Sequence, residues 1–205
     1  MDDFYEKYWQ TRGRSGIRPR YQIFSSWIVP GSSILDIGCG DGYLGEMLVR
    51  DKRVSYRGGD ISEEGLKIAR ARGLDVIKLN AKVDLPQFED DSFDYVIMSE
   101  FIEHLVNSEE IILQALGIAR RGVLLSIPNV AYWKYRLQLL GGHFPKQWEF
   151  APYEHLRFWS VKDFQYLIGA LGIKIKACKA SNGKVILRDL WPNLFGFQVC
   201  FFLQK

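Results

Sequence analysis

The residues best suited to chemistry in this 205-residue chain gather in one bend, Asp36-Ile-Gly38-Cys-Gly40-Asp-Gly42. An apolar run, Ile34-Leu-Asp-Ile37, enters it, and helical spacing from Tyr43 to Arg50 leaves it. Glycine adds no side chain, so such a turn lets a ligand reach the backbone. Two ligand classes compete for it, beside the plain alternative of a structural strand-to-helix turn. A dinucleotide turn follows Gly-x-Gly-x-x-Gly and faces a pyrophosphate. Here Tyr43 stands at the third glycine position, and Asp36 and Asp41 would repel that anion. Asp60 ends the next β-type run, 22 positions after Gly38. That is near the roughly twenty-residue spacing that sets a carboxylate on ribose hydroxyls, and it serves either ligand.

The acids of the bend suit a ligand with a cationic amino group and a sulfonium beside an adenosine, which is S-adenosylmethionine. Methyl transfer from a sulfonium is a direct displacement with a neutral leaving group, so positioning matters most. A general base is needed only where the acceptor holds its proton. The candidate catalytic residues are His104, His155 and Asn129. His104 follows the fourth β run and His155 lies in an aromatic-rich stretch; each is also readable as a hydrogen-bonded structural histidine. Asn129 ends the fifth run together with Ser126 and Pro128, where a doubly wound fold places ligands. It either orients a polar substrate group or closes a turn. Glu100 and Glu103 are weaker base candidates, since helix-entry acids often only cap or face solvent. His143, between Gly142 and Phe144, reads as a loop residue, and Cys39 as small packing. Three cysteines, at 39, 178 and 200, show no metal-like spacing, so no metal site is expected.

These residues need elements to carry them. β-type runs fall at Ile34–Ile37, Val54–Gly59, Asp75–Leu79, Phe93–Met98 and Gly122–Ile127, with a helix over residues 108–119. Ser62 reads as an N-cap followed by Glu63 and Glu64, and Gly73 as the stop. Apolar runs flanked by helices predict an α/β, doubly wound, Rossmann-like sandwich around a mostly parallel central sheet. Ile173–Ala177 and Phe197–Leu203 alternate, predicting an antiparallel C-terminal strand in an edge pair joined through Ser181-Asn-Gly and Trp191-Pro-Asn. Ser160-Val-Lys-Asp163 reads as a helix start. A single domain, 1–205, is expected, with an N-terminal lid or helix at 1–30 and a cofactor-binding core at 31–127. An aromatic lid at 128–159 and a C-terminal helix with edge strands at 160–205 complete it. The lid holds Tyr132, Trp133, Tyr135, Phe144, Trp148, Phe150, Tyr153, Phe158 and Trp159, which read either as a substrate cover or as a satellite core.

Composition bounds the function classes. With 47% apolar and 25% charged residues the chain is an ordinary globular one, and a net charge of +3 does not argue for a nucleic-acid surface. Arg12, Arg14, Arg18 and Arg20 read as a mobile, solvated lid. No basic start leads into an apolar stretch and no run suits a membrane span, so the cytoplasm is the expected compartment and no membrane partner is expected.

The run Ile34-Leu-Asp-Ile-Gly-Cys-Gly-Asp-Gly42 resembles motif I of the class I S-adenosylmethionine-dependent methyltransferases. Gly59-Asp-Ile-Ser62 resembles the ribose-binding acidic motif of that superfamily. Leu85-Pro86 with Asp91 to Leu105 resembles the motif leading through its fourth strand. The resemblance implies that Asp36, Gly38 and Gly40 line the methionine moiety and Asp60 the ribose. Asn80 and Ala81 would meet the adenine, and Ser99, Glu100 and Phe101 would lie beyond strand four. Cys39, Tyr43 and Ile61 join the implied cofactor set. Arg18-Pro-Arg-Tyr to Trp27, Asn129 to Leu140 and Asp163-Phe164 resemble the MetW-like branch, linked to methionine biosynthesis. Glu154 to Ser160 resembles a segment of many small-molecule methyltransferases. The resemblance implies methyl transfer to a small-molecule acceptor, leaving S-adenosylhomocysteine. The alternative is a cofactor-binding accessory partner of a homoserine acyltransferase; a homodimer also stays open. A nicotinamide oxidoreductase shares only the fold.

Overall fold

The computed structural model describes residues 2–12, 16–145 and 154–205. Arg14, Trp148, Phe150 and Tyr153 lie outside the described residues. In chain order the elements are α1 (Asp2–Arg12), α2 (Pro19–Trp27), β1 (Ser33–Ile37), α3 (Tyr43–Lys52), β2 (Ser55–Asp60), α4 (Glu63–Ala71), β3 (Asp75–Lys78) and α5 (Ala81–Asp84). There follow β4 (Phe93–Ser99), a 3₁₀ turn (Ile102–His104), α6 (Ser108–Ile118), β5 (Ala119–Pro128), α7 (Trp133–Leu140) and α8 (Val161–Ala170). The chain ends with β6 (Lys174–Gly183), α9 (Leu187–Leu190), α10 (Pro192–Phe195) and β7 (Gly196–Gln204).

The seven strands form one sheet in the order β3-β2-β1-β4-β5-β7-β6. All neighbouring pairs are parallel except those of β7, which runs antiparallel to both β5 and β6. The period of two along each strand sorts side chains to opposite faces. Leu35, Ile37, Val96, Met98, Val123 and Leu125 face one core with Ile111 and Ile112 of α6 and Phe164 and Ile168 of α8. Ile34, Ile97, Leu124 and Phe202 face the other, with Phe24 of α2, Leu44 and Leu48 of α3 and Leu66 of α4. Burial on both faces explains why β1, β4 and β5 read as continuous apolar runs. Connections leave β1 toward one edge and β4 toward the other, so a crevice opens at the carboxyl ends of β1 and β4.

Local chemistry sets the helix starts. Ser62 accepts from the Gly65 amide at 3.2 Å. At α8, the Ser160 hydroxyl accepts from the Asp163 amide at 3.0 Å while the Asp163 carboxylate accepts from the Ser160 amide at 3.2 Å. A second acid reinforces α4 from outside: the Glu6 carboxylate of α1 accepts from the Glu63 and Glu64 amides at 2.8 and 2.9 Å and from the Ser62 hydroxyl at 2.9 Å. It answers the amides that a helix N-terminus leaves without intrahelical partners.

Two readings of the C-terminal third change. Ser181-Asn-Gly183 is not a turn but the end of β6, paired through Asn182 with Gln198 and Gly183 with Gly196. The buried Ser181 hydroxyl donates to the Gln198 side chain at 2.9 Å, which holds this polar triplet in the strand. α9 and α10 make the connection instead. The aromatic stretch divides. Tyr135 and Trp159 are buried, Tyr135 against Phe197 and Trp159 against Phe164, whereas Phe144 and Phe158 meet edge to face and are exposed. No helix among the described residues is long and apolar enough to cross a membrane.

Replacing Glu6 by Ala removes three bonds between α1 and α4. We expect protease cleavage within residues 1–12 to accelerate, while global stability changes by only about 0.3–1 kcal/mol, the usual worth of an acid at a helix start. Partial desolvation opposes ionisation of Glu6, but the Glu64 and Glu63 amides prevail and hold its carboxyl below the usual range. The contact is therefore complete above the unfolded carboxyl value of about 4.3 and lost as pH falls through the lower folded one. An unchanged cleavage rate in the variant would show that other contacts dock α1.

Candidate functional site

A cavity of about 570 Å³ occupies the crevice at the ends of β1 and β4. Its floor is the bend after β1. Gly38 and Gly40 adopt left-handed backbone with φ of 76° and 55°. A Cβ at Gly38 would run into the Phe101 ring, and one at Gly40 into the indole of Trp9. The bare backbone is thus required twice, for its own conformation and for the rings packed on it.

Two carboxylates anchor the floor. Asp60 Oδ2 accepts from the Gly40 amide at 2.8 Å and Oδ1 from the Ser62 amide at 2.9 Å. Burial raises its pKa, with those amides opposing. Asp36, 1% exposed, accepts from the Tyr56 hydroxyl at 2.8 Å through Oδ2. Its Oδ1 has no hydrogen-bond partner among the described residues. Burial pushes the Asp36 carboxyl up to about 7, the Tyr56 bond opposing and the charge of Asp60 adding. A buried acceptor left open in a cavity wall is a place for a ligand's donor, preferably a cationic one.

Asp41 does not join them. Its carboxylate pairs with Arg72 at 3.1 Å, both side chains being nearly buried, and Arg72 also donates to the Asp41 carbonyl at 2.8 Å. The charge credited to the bend from Asp41 is therefore answered within the protein. Cys39 packs beneath the loop; burial, followed by the charges of Asp60 and Asp36, raises its thiol well above the ordinary value, which leaves it a poor nucleophile.

Of the remaining cofactor candidates, Ile61, Asn80, Ala81, Ser99, Glu100 and Phe101 all line the cavity. Asn80 also caps α5, its Oδ1 accepting from the Lys82 amide at 3.2 Å. Ser99 accepts from Arg20 Nε at 2.7 Å. Glu100 holds left-handed backbone, φ 53°, and its amide donates to the Ser126 hydroxyl at 3.0 Å. Tyr43 stands outside the cavity wall, stacked on Tyr21 with the Arg72 guanidinium over its ring.

His104 and His155 meet at the other end, ring centroids 4.9 Å apart. Burial lowers the pKa of His104 despite its bond to the Glu154 carbonyl, and burial followed by the proximity of His104 lowers His155 to about 4. Both rings are neutral at pH 7. Asn129 is not with them. It is fully buried outside the cavity wall, its amide donating to the Gly196 carbonyl at 2.7 Å and its Oδ1 accepting from the Ala131 amide at 3.0 Å. Its side chain is engaged in closing the loop between β5 and β7, the turn-closing option of the two open in the sequence.

Several cavity residues were not singled out by type or spacing. Tyr5, Tyr8 and Trp9 of α1 form the roof. Arg20, read as part of a solvated lid, is instead partly buried and bonded to Ser99 and Gln198. The segment Arg18 to Trp27 carried a signal through its resemblance; the α1 aromatics carried none.

Sheet order and cavity are those of a Rossmann-like methyltransferase fold. An S-adenosylmethionine-dependent methyltransferase of Thermotoga maritima shares the fold with a TM-score of 0.66 at 22% identity, over 91% of this chain and 87% of that one. One of Archaeoglobus fulgidus does so with a TM-score of 0.65 at 20% identity, over 91% of each. The family described as methionine biosynthesis protein MetW matches residues 18–203, and the chain belongs to that family. A bifunctional methionine biosynthesis protein MetXA/MetW of Rhodopirellula baltica is 32% identical over 82% of this chain. A ubiquinone biosynthesis O-methyltransferase of Hahella chejuensis is 31% identical over 50% of it. The chain spans only 30% and 44% of these two relatives.

The raised Asp36 carboxyl has a consequence for stability. Its folded value, about 7, exceeds the unfolded value of about 3.9. The native state then holds the extra proton, so this contribution is complete below the unfolded value and is lost as pH rises toward 7, levelling above it. Thermal melts of ligand-free protein across this window should show that decline, and Asp36→Asn should flatten it and melt higher at pH 8. A slope identical in the variant would remove Asp36 as its source.

Proposed function

We propose that the protein is an S-adenosylmethionine-dependent methyltransferase acting on a small-molecule acceptor. The observation that carries this reading is the open, buried Oδ1 of Asp36 beside the bare backbone of Gly38 and Gly40. Asp36 and the glycine bend would hold the amino-acid end of the cofactor. Asp60, whose oxygens each have a second acceptor site, would hold the ribose. Asn80 and Ala81 would flank the adenine, and Ser99, Glu100 and Phe101 the wall beyond β4. Bound there, the cofactor supplies a methyl on a positively charged sulfur and departs as the neutral thioether S-adenosylhomocysteine.

The protein's own part is orientation and the exclusion of water. Well-oriented reactions gain about 7–11 kcal/mol from orientation. Trp9 and Tyr5 roof the cavity, and in metal-free protein the neutral rings of His104 and His155 are the groups placed to accept an acceptor's proton. Burial holds both rings neutral at pH 7, and the same depression makes each a weaker base than an ordinary histidine.

Calorimetric titration with S-adenosylmethionine and S-adenosylhomocysteine tests the binding half. Asp36→Asn should weaken S-adenosylmethionine by more than about tenfold, the equivalent of one charge-assisted bond of about 1.5–3 kcal/mol. Labelled cofactor incubated with metabolite pools tests the transfer half. No affinity for either nucleoside in the unmodified protein would end the reading.

A second reading has its own support. The fused relative from Rhodopirellula baltica carries MetXA and MetW in one chain, so an acyltransferase partner is a natural expectation here. Leu137, Leu139 and Leu140 around α7 and Val185, Ile186, Leu190 and Trp191 around α9 are all exposed. Lys184 over the Trp133 ring joins the two groups. Under this reading the chain binds S-adenosylmethionine and acts through the acyltransferase. Co-elution with a homoserine acyltransferase, abolished by Leu140→Glu with Leu190→Glu, is the expected result. Independent elution of the unmodified proteins would count against it.

A further inference from the structure

We propose that Glu103, His104 and His155 form a binding site for one divalent transition-metal ion at the histidine end of the cavity. One donor atom from each residue lies within 4.8 Å of the other two. Ligands around a tetrahedral ion with bonds of about 2.0–2.1 Å sit about 3.4 Å apart, so small side-chain adjustments close the set. Two imidazoles with one carboxylate suit zinc, cobalt, iron or manganese better than the all-oxygen coordination preferred by magnesium or calcium.

Glu103 supplies the independent observation. It is 0% exposed and borders the cavity, and neither carboxylate oxygen has a hydrogen-bond partner among the described residues. Arg20 acts on it only through space, its guanidinium being bonded to Ser99 and Gln198. Buried carboxyl groups are ordinarily paired or bound to metal, because an unanswered one is costly. Glu100, whose charge also acts on Glu103, adds a third buried oxygen without a hydrogen-bond partner among the described residues on the same wall.

The backbone fixes the three donors with respect to one another. The Glu103 carbonyl accepts from the Leu156 amide at 2.8 Å and the Arg157 amide at 3.1 Å. The segment carrying His155 is therefore tied to the turn carrying Glu103 and His104. Arg157 braces the same junction, donating to the Val106 carbonyl and pairing with Glu109 at 3.5 Å. His104 Nδ1 meets the Glu154 carbonyl at 2.9 Å. A carbonyl accepts, so Nδ1 is the donor and the lone pair lies on Nε2. An imidazole oriented by a carbonyl on its other nitrogen is the usual support of a metal-bound histidine.

Three protein ligands leave a position open toward the cavity, for an oxygen or nitrogen donor of a small molecule. That last consequence rests on the methyltransferase reading; the metal site does not. The test uses tag-free, full-length protein stripped with a chelator and titrated with cobalt(II), followed by visible absorption and by metal analysis after dialysis. One equivalent should bind, with ligand-field bands of a low-coordinate site. Glu103→Gln and His155→Gln should each weaken uptake by more than about tenfold while the melting transition stays cooperative. His155 lies in a half-buried segment, so its variant serves if the Glu103 variant fails to fold. No saturable uptake by the unmodified protein, or equal uptake by a folded variant, would overturn the site. Because neither S-adenosylmethionine nor turnover enters the readout, this result stands apart from the test of the methyltransferase reading.

Discussion

The site depends on one clamp, the Asp60 carboxylate bridging the Gly40 and Ser62 amides. It joins the bend after β1 to the start of α4, two segments whose strands are parallel neighbours. The Gly38 and Cys39 amides add bonds to the Gly59 carbonyl at 2.8 and 3.1 Å, so the first bend is fastened to the end of β2 from both sides. The bend adopts left-handed backbone at Gly38, Gly40 and Gly42, which costs little for glycine. With backbone amides turned onto a carboxylate, the loop is preorganised before any ligand arrives.

Charge at this end of the cavity is arranged unevenly, and the unevenness decides which ligand fits. Asp41 and Arg72 answer each other beneath α3, and Asp60 is held by amides. At the bend, Asp36 keeps a buried oxygen that has no hydrogen-bond partner among the described residues, and burial favours its neutral form near pH 7. An anionic pyrophosphate at the bend would meet the two buried carboxyl groups of Asp36 and Asp60. A cationic amino group would instead draw the Asp36 proton off and pair with the resulting charge. The selectivity first argued from Asp36 and Asp41 therefore rests on Asp36, since Arg72 answers Asp41.

Much of this was legible in the sequence because it is local or periodic. β1, β4 and β5 are buried on both faces, so their apolar runs are continuous, and Ser62 and Ser160 cap helices through groups only three residues away. The glycine bend is likewise contiguous. What escaped was tertiary. Arg72 reaches Asp41 from 31 positions away, and Arg20 reaches Ser99 from 79. Ser181-Asn-Gly has turn composition but lies in β6, because β7 supplies partners that outweigh its preference. The expectation of no metal looked to cysteine spacing. Glu103 and His104 are adjacent in sequence, yet His155 arrives only through a fold that sets residues 154–157 against the 3₁₀ turn.

The two ends of the cavity share one roof. Trp9 covers Gly40 and Gly65 above the aspartates, while the Tyr5 ring lies edge-on to His104 with centroids 6.2 Å apart. α1 is therefore seated over both the nucleoside end and the histidine end, held to the α4 N-terminus by Glu6. The core helices α3, α4 and α6 are fixed by fully buried aliphatic side chains. By contrast, the Glu6 attachment is three hydrogen bonds at a half-buried surface, each worth on the order of 1 kcal/mol net. α1 is thus joined to the site by polar bonds at a half-buried surface and by ring contacts of Trp9 and Tyr5, not by fully buried aliphatic side chains. Glu6 binds amides adjoining the Asp60 clamp, so α1 and the bend share the α4 N-terminus as their anchor, while the bend has bonds of its own to Asp60 and Gly59.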